Sequence, residues 1–168
     1  FKYGLELNII NEYSGNSLIS YSCEIRNIGM VGELIYRGIS TSTVNFMDYL
    51  NTPLYYALEN NDLEIAKLLL DNFAYVDAAD NLGVTVLASN AYNDIDNCKF
   101  LLKEGANPNG SNFNSDGPIY PICNAVKSHR PDIGKLLIDN GANVYVGERN
   151  LNKNIGKIIE ITKKFLVL

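Results

Sequence analysis

The stretch TPLYYALENNDLEIAKLLLDNFAYVDAAD, residues 52–80, decides how the rest of the chain is read. Thr52 suits a helix N-cap, because its hydroxyl accepts one of the orphan amides of a first turn. Pro53 follows at the first helical position, where a missing N–H costs nothing. Leu54, Ala57 and Leu58 then recur at helical spacing. Asn60-Asn61-Asp62 interrupts the pattern, and Leu63 to Leu70 resumes it, with Ile65, Leu68 and Leu69 facing inward. The spacing predicts two short helices joined by a tight turn and followed by a polar connection.

The same unit recurs along the chain. Asp132-Ile133-Gly134-Lys135-Leu136-Leu137-Ile138 matches Glu64-Ile65-Ala66-Lys67-Leu68-Leu69-Leu70 two periods later. Between them, GVTVLASNAYNDIDNCKFLLKEGANPN (83–109) fits with one residue missing between its helical stretches. Met30-Val31-Gly32-Glu33-Leu34-Ile35 matches one period earlier, inside GNSLISYSCEIRNIGMVGELIYRGIS (15–40), and Gly4-Leu5-Glu6-Leu7-Asn8 reads as the tail of a preceding unit. Gly38, Gly105 and Gly141 follow the second helices at one place, where a left-handed residue is needed; Phe73 stands there in the unit of residues 52–80. A pair of two-turn helices cannot bury its apolar face alone, so such units must stack.

Composition narrows the function classes. The 168 residues are 46% apolar and 20% charged, with net charge −5, pI about 4.8 and mean hydropathy −0.06. An acidic chain is poorly suited to phosphate backbones, whose binding rests on Lys and Arg, so no nucleic acid is expected. No apolar run reaches the roughly 18 residues of a membrane span, so no membrane partner is expected either. Cys23, Cys98 and Cys123 are few and far apart, which suggests reduced thiols and a cytoplasmic location, in the cell of origin or in a host. The chain lacks an initiator Met and ends in FLVL, and is read as a piece of a longer one.

The order T-P-L-x-x-A, E-I-x-K-L-L-L, G-A-N-x-N resembles ankyrin repeats. TPLYYA (52–57), YPICNA (120–125), KEGANPN (103–109) and DNGANVY (139–145) carry the likeness. It departs at Phe73, at Tyr120 in place of a capping Thr, and in the long connection from Asn107 to Ile119. The resemblance implies an all-α solenoid of helix-turn-helix units with hairpin-like loops. It divides the chain into 1–14 (end of a preceding repeat), repeats at 15–50, 51–82, 83–114 and 115–147, and a capping helix or further repeat at 148–168. It further implies a monomer that captures another protein on loop tips and first-helix faces. By position this selects Tyr13, Ser14, Asn16 and Glu24; Asp48, Tyr49, Asn51, Glu59 and Asn60; Asn81, Leu82, Val84, Tyr92 and Asn93; and Asp116, Ile119, Lys127 and Ser128. Such a polar, acidic strip with tyrosines and aliphatics suits a neutral or basic protein segment. Degenerate Asn/Ile/Tyr-rich arrays resemble those of large DNA viruses and host-associated bacteria, where they recruit host targets to larger effectors or adapters. The alternative is a structural spacer or docking array for a neighbouring domain.

No enzyme chemistry is expected. His129 is the only histidine, and no nucleophile can be assigned to it. Gly134-Lys135 and Gly156-Lys157 lack the rest of a phosphate loop. No cofactor and no metal set is predicted. Cys98 and Cys23 are expected to be packed, and Cys123 to be partly exposed. Tyr92 is placed on a first helix. Asn109-Gly110 and the residues up to Asp116 are expected to form the most mobile connection.

Overall fold

The computed structural model describes residues 10, 15–43, 52–80, 82–110 and 119–143. Among these stand eight helices: α1 Leu18–Glu24, α2 Ile28–Tyr36, α3 Pro53–Glu59, α4 Leu63–Asp71, α5 Val86–Asn90, α6 Ile95–Lys103, α7 Pro121–Lys127 and α8 Pro131–Asp139. An isolated antiparallel bridge joins Ile10 and Ser17. The fold class is all-α helical repeats of the solenoid kind. The chain divides into two compact halves, residues 1–81 and 82–168. In the first half α1 packs on α3 and α2 on α4; in the second α5 packs on α7 and α6 on α8. First helices thus stack on first helices, and second on second.

Local chemistry sets each helix end. Ser17, Thr52 and Thr85 cap the first helices, their hydroxyls accepting from the amides of Ser20, Tyr55 and Ala88 at 3.2, 3.3 and 3.1 Å. Asn27, Asp62 and Asp94 cap second helices in the same way through Met30, Ile65 and Asn97. Tyr120 and Arg130 make no side-chain cap, and Pro121 and Pro131 follow them. At the far ends of the second helices Gly38, Phe73, Gly105 and Gly141 all adopt positive φ (82°, 69°, 91° and 92°). The amides of Ile39, Ala74, Ala106 and Ala142 then reach back to the carbonyls of Leu34, Leu69, Leu101 and Leu137. This closure satisfies carbonyls that the helix leaves orphaned.

The turn between paired helices repeats that device at Arg26, Asn61 and His129, with φ of 58°, 54° and 54°. Asp94 follows Thr85 by nine positions, whereas Asp62 follows Thr52 by ten. The shortened turn has no left-handed residue and closes instead through the Asp94 amide on the Asn90 carbonyl. Helix α5 therefore ends at Asn90, and Tyr92 lies in the turn rather than on a helix, which corrects its expected placement.

The first half buries Ile19, Val31, Leu54, Leu58, Ile65 and Leu69; the second buries Leu87, Leu101, Ile122, Ile133 and Leu137. Leu68 is only half-buried, and Ala66 takes the inward place beside Ile65 and Leu69. Each enclosed Leu or Ile stabilises its half by roughly 1.5–3 kcal/mol relative to exposure.

The start of the connection expected to be mobile is anchored. The Asn109 Nδ2 donates to the Gly141 carbonyl at 3.4 Å, and its Oδ1 accepts from the Asn143 amide at 2.7 Å. Gly110 is buried at φ 75°, and a Cβ on it would meet the Ile119 carbonyl oxygen at 2.5 Å. Residues 111–118 lie outside the described residues, as do Gly156-Lys157 and the whole of 148–168.

Candidate functional site

Of the selected contact residues, Tyr13, Ser14, Asp48, Tyr49, Asn51, Asn81 and Asp116 lie outside the described residues. The others fall into two groups, one in each half.

In the first half, Glu24 and Glu59 are the last residues of the stacked helices α1 and α3, and both are exposed. The Glu24 Oε2 accepts from Asn16 Nδ2 at 3.2 Å, and the Tyr56 hydroxyl donates to Asn16 Oδ1 at 2.7 Å. Asn16 itself is only 8% exposed. Its carboxamide joins α3 to the entrance of α1, so Asn16 is an interior brace rather than a contact residue. Asn60 donates through Nδ2 to the Glu24 carbonyl at 2.9 Å and the Cys23 carbonyl at 3.4 Å, which ties the ends of α1 and α3 together. The Tyr55 hydroxyl is hydrogen-bonded to Glu59, and its pKa is raised, first by burial and then by the negative charge of Glu59. The Tyr55 and Tyr56 rings meet edge to face at 5.7 Å.

Two further exposed apolar side chains of α1 and its turn, Tyr21 and Ile25, escaped the sequence reading. The signal for Ile25 was present: it stands to Glu24 as Asn60 stands to Glu59. Neither α1 nor α3 carries a lysine or arginine. Arg26, in the turn after α1, pairs with Asp62 at 3.3 Å.

In the second half, Leu82, Tyr92, Asn93 and Lys127 are exposed, and Val84, Ile119 and Ser128 are half-buried. The carbonyl of Asn93 accepts from the guanidinium of Arg130, which also pairs with Asp132. Arg130 holds the Asp132 carboxyl below its usual range through that hydrogen bond. Asn124 lies inside the α5–α7 contact, donating through Nδ2 to the Ala88 carbonyl at 2.9 Å, and its Oδ1 has no partner.

The thiols are interior groups. Burial pushes Cys23 and Cys98 up to about 12 and raises Cys123 as well. Cys123 is 7% exposed, so its expected partial exposure is corrected: α7 turns it into the packed face. His129 is exposed in its left-handed turn, and Gly134 is buried within α8. Among the described residues no three His, Cys, Asp or Glu side chains cluster as a metal site would require. No helix among them is long and apolar enough to cross a membrane.

Comparison with known proteins agrees with the repeat geometry. A family model of ankyrin repeats in three copies matches residues 1–81 and again 23–112. The chain is 33% identical over 96 residues to the Dauer abnormal formation protein 25 of Caenorhabditis elegans, a match covering 56% of this chain and 24% of that protein. It is 30% identical over 142 residues to ankyrin repeat protein L371 of Acanthamoeba polyphaga mimivirus, covering 83% of this chain and 18% of that one. The matched region is thus a quarter or less of either relative's length.

Proposed function

The chain belongs to the ankyrin-repeat family, and we propose that it captures a target protein on the faces formed by its first helices and the loop tips beside them. Ankyrin repeats are a protein–protein interaction fold. The observation that carries the reading here is a division of labour between helices. First helices end in exposed Glu24, Glu59 and Lys127, with Ile25 and Tyr92 exposed in the turns that follow. Second helices instead close on themselves through the pairs Arg37–Glu33, Lys67–Asp71 and Lys135–Asp139. Asp48, Tyr49, Asn51, Tyr13, Ser14, Asn81 and Asp116 are carried as contacts by repeat position alone. The partner segment is neutral or basic, and the module serves as the recruiting part of a larger effector or adapter. Likeness to a mimivirus protein supports a viral setting for that role.

The test is affinity capture with the whole chain, followed by titration of the recovered partner. Glu59→Arg and Tyr92→Ala should each weaken binding about tenfold or more, as truncating interface anchors does. Lys67→Ala, on the second-helix side, should leave it unchanged. Loss of binding in the Lys67 variant alone would place the interface on the other side of the repeats.

A further inference from the structure

Charge in the first half is sorted by helix class. Its described cations are Arg26, Arg37 and Lys67, and each faces a carboxylate: Asp62, Glu33 and Asp71 respectively. These pairs offset three of the four carboxylates on α2, α4 and the α4 cap, Glu64 being the fourth. On the first-helix side the donors that Glu24 and Glu59 meet among the described residues are the neutral Asn16 and Tyr55, which orient the carboxylates without cancelling their charge. Exposed Ile25 and Tyr21 and half-buried Tyr55 lie on the same two elements. The face therefore offers two carboxylates with no cationic partner among the described residues, within an aromatic and aliphatic surround.

The spacing of those charges is set by the fold. Glu24 and Glu59 both stand seven positions after their caps, Ser17 and Thr52, on helices that stack directly. Asn60 pins the two helix ends together through the Cys23 and Glu24 carbonyls. Packed helices lie about 8–10 Å apart, so the carboxylates repeat at about that interval. A segment in the polyproline II conformation has three residues per turn and rises about 3.1 Å per residue, so side chains at i and i+3 lie on one face about 9 Å apart.

We propose that the face formed by α1 and α3 binds a protein segment in the polyproline II conformation that carries two Lys or Arg side chains three residues apart. One cation meets Glu24 and the other Glu59, with the Tyr55 ring beside the second. An apolar side chain of the segment rests on Ile25. This rests on the reading of the first helices as the capture face and narrows the partner to a cationic one.

The test is selection of a displayed library of random 12-residue peptides on the whole chain, then titration of the selected peptides against three folded proteins. These are the wild type, the double variant Glu24→Gln/Glu59→Gln, and Ile25→Arg, with folding confirmed by circular dichroism. Gln keeps an acceptor for Asn16 and for Tyr55, so the double variant removes charge with little change of shape. The expected result is enrichment of Lys/Arg pairs at i, i+3, with at least tenfold weaker binding to the double variant and a marked loss at raised salt. Peptides that tolerate the double variant but fail on Ile25→Arg would overturn the cationic partner while leaving the capture face in place. Peptides indifferent to both variants, or a library that yields no binder, would overturn the capture face as well.

Discussion

Phe73 is the residue least at ease in its place. It sits at φ 69° and is 92% exposed, so it has neither a favourable backbone nor an apolar environment. Its counterparts Gly38, Gly105 and Gly141 take the same conformation without a Cβ to strain. Phe73→Gly should therefore stabilise the chain by about 1 kcal/mol, seen as a higher urea midpoint; a lower midpoint would mean that the ring has a packing duty. This position was legible in the sequence, because three glycines at one register define what the fourth site requires. The thiols were legible only in part. Helical spacing placed Cys23 and Cys98 inside, but the burial of Cys123 follows from tertiary packing around α7. All three should resist a thiol reagent at pH 8 in the folded chain and react in urea. Their pKa values are raised by folding, so the unfolded chain loses thiol protons first. Stability should fall as pH rises from about 9 towards about 12, and replacing Cys23 and Cys98 by Ala should flatten that fall.

At the scale of the element, a helix of five to nine residues depends on its ends, since so short a run gains little from propensity. Thr52 and Thr85 are buried caps, and Thr85→Ala should cost about 1 kcal/mol, measured by urea unfolding. Tyr120 holds the same place and makes no cap bond, so Tyr120→Thr adds one where Thr85→Ala removes one. Comparison of the two separates capping from side-chain packing. The caps, the Pro entries and the one-residue deletion before Asp94 could all be read from residue order. The deletion's effect on Tyr92 could not be, because a turn one residue shorter also ends α5 early and drops the left-handed position.

In the molecule as a whole, stacked repeats must also be joined through their loops. Ser42 and Asn109 each stand four residues beyond a left-handed glycine and reach to the next repeat in their own half. Ser42 Oγ donates to the Phe73 carbonyl at 3.5 Å and accepts from the Tyr75 amide at 3.2 Å; Asn109 treats Gly141 and Asn143 likewise. Asn109→Ala should lower stability by about 1 kcal/mol, by losing two hydrogen bonds; Ser42→Ala, with longer bonds, should cost less. An unchanged urea midpoint for Asn109→Ala would show the clasp to be idle. The repeat period, the helix ends and the left-handed sites could be read from residue order, because each follows from local backbone chemistry within a few residues. Packing between repeats selects which of two equivalent side chains is exposed. Tyr21 and Tyr56 occupy one repeat position, yet Tyr56 is 9% exposed and Tyr21 51%. Tyr56 lies over α1 and finds Asn16, which for the same reason is an interior brace and not a contact. Burial is set by the neighbour across the stack, which a residue's own repeat does not contain.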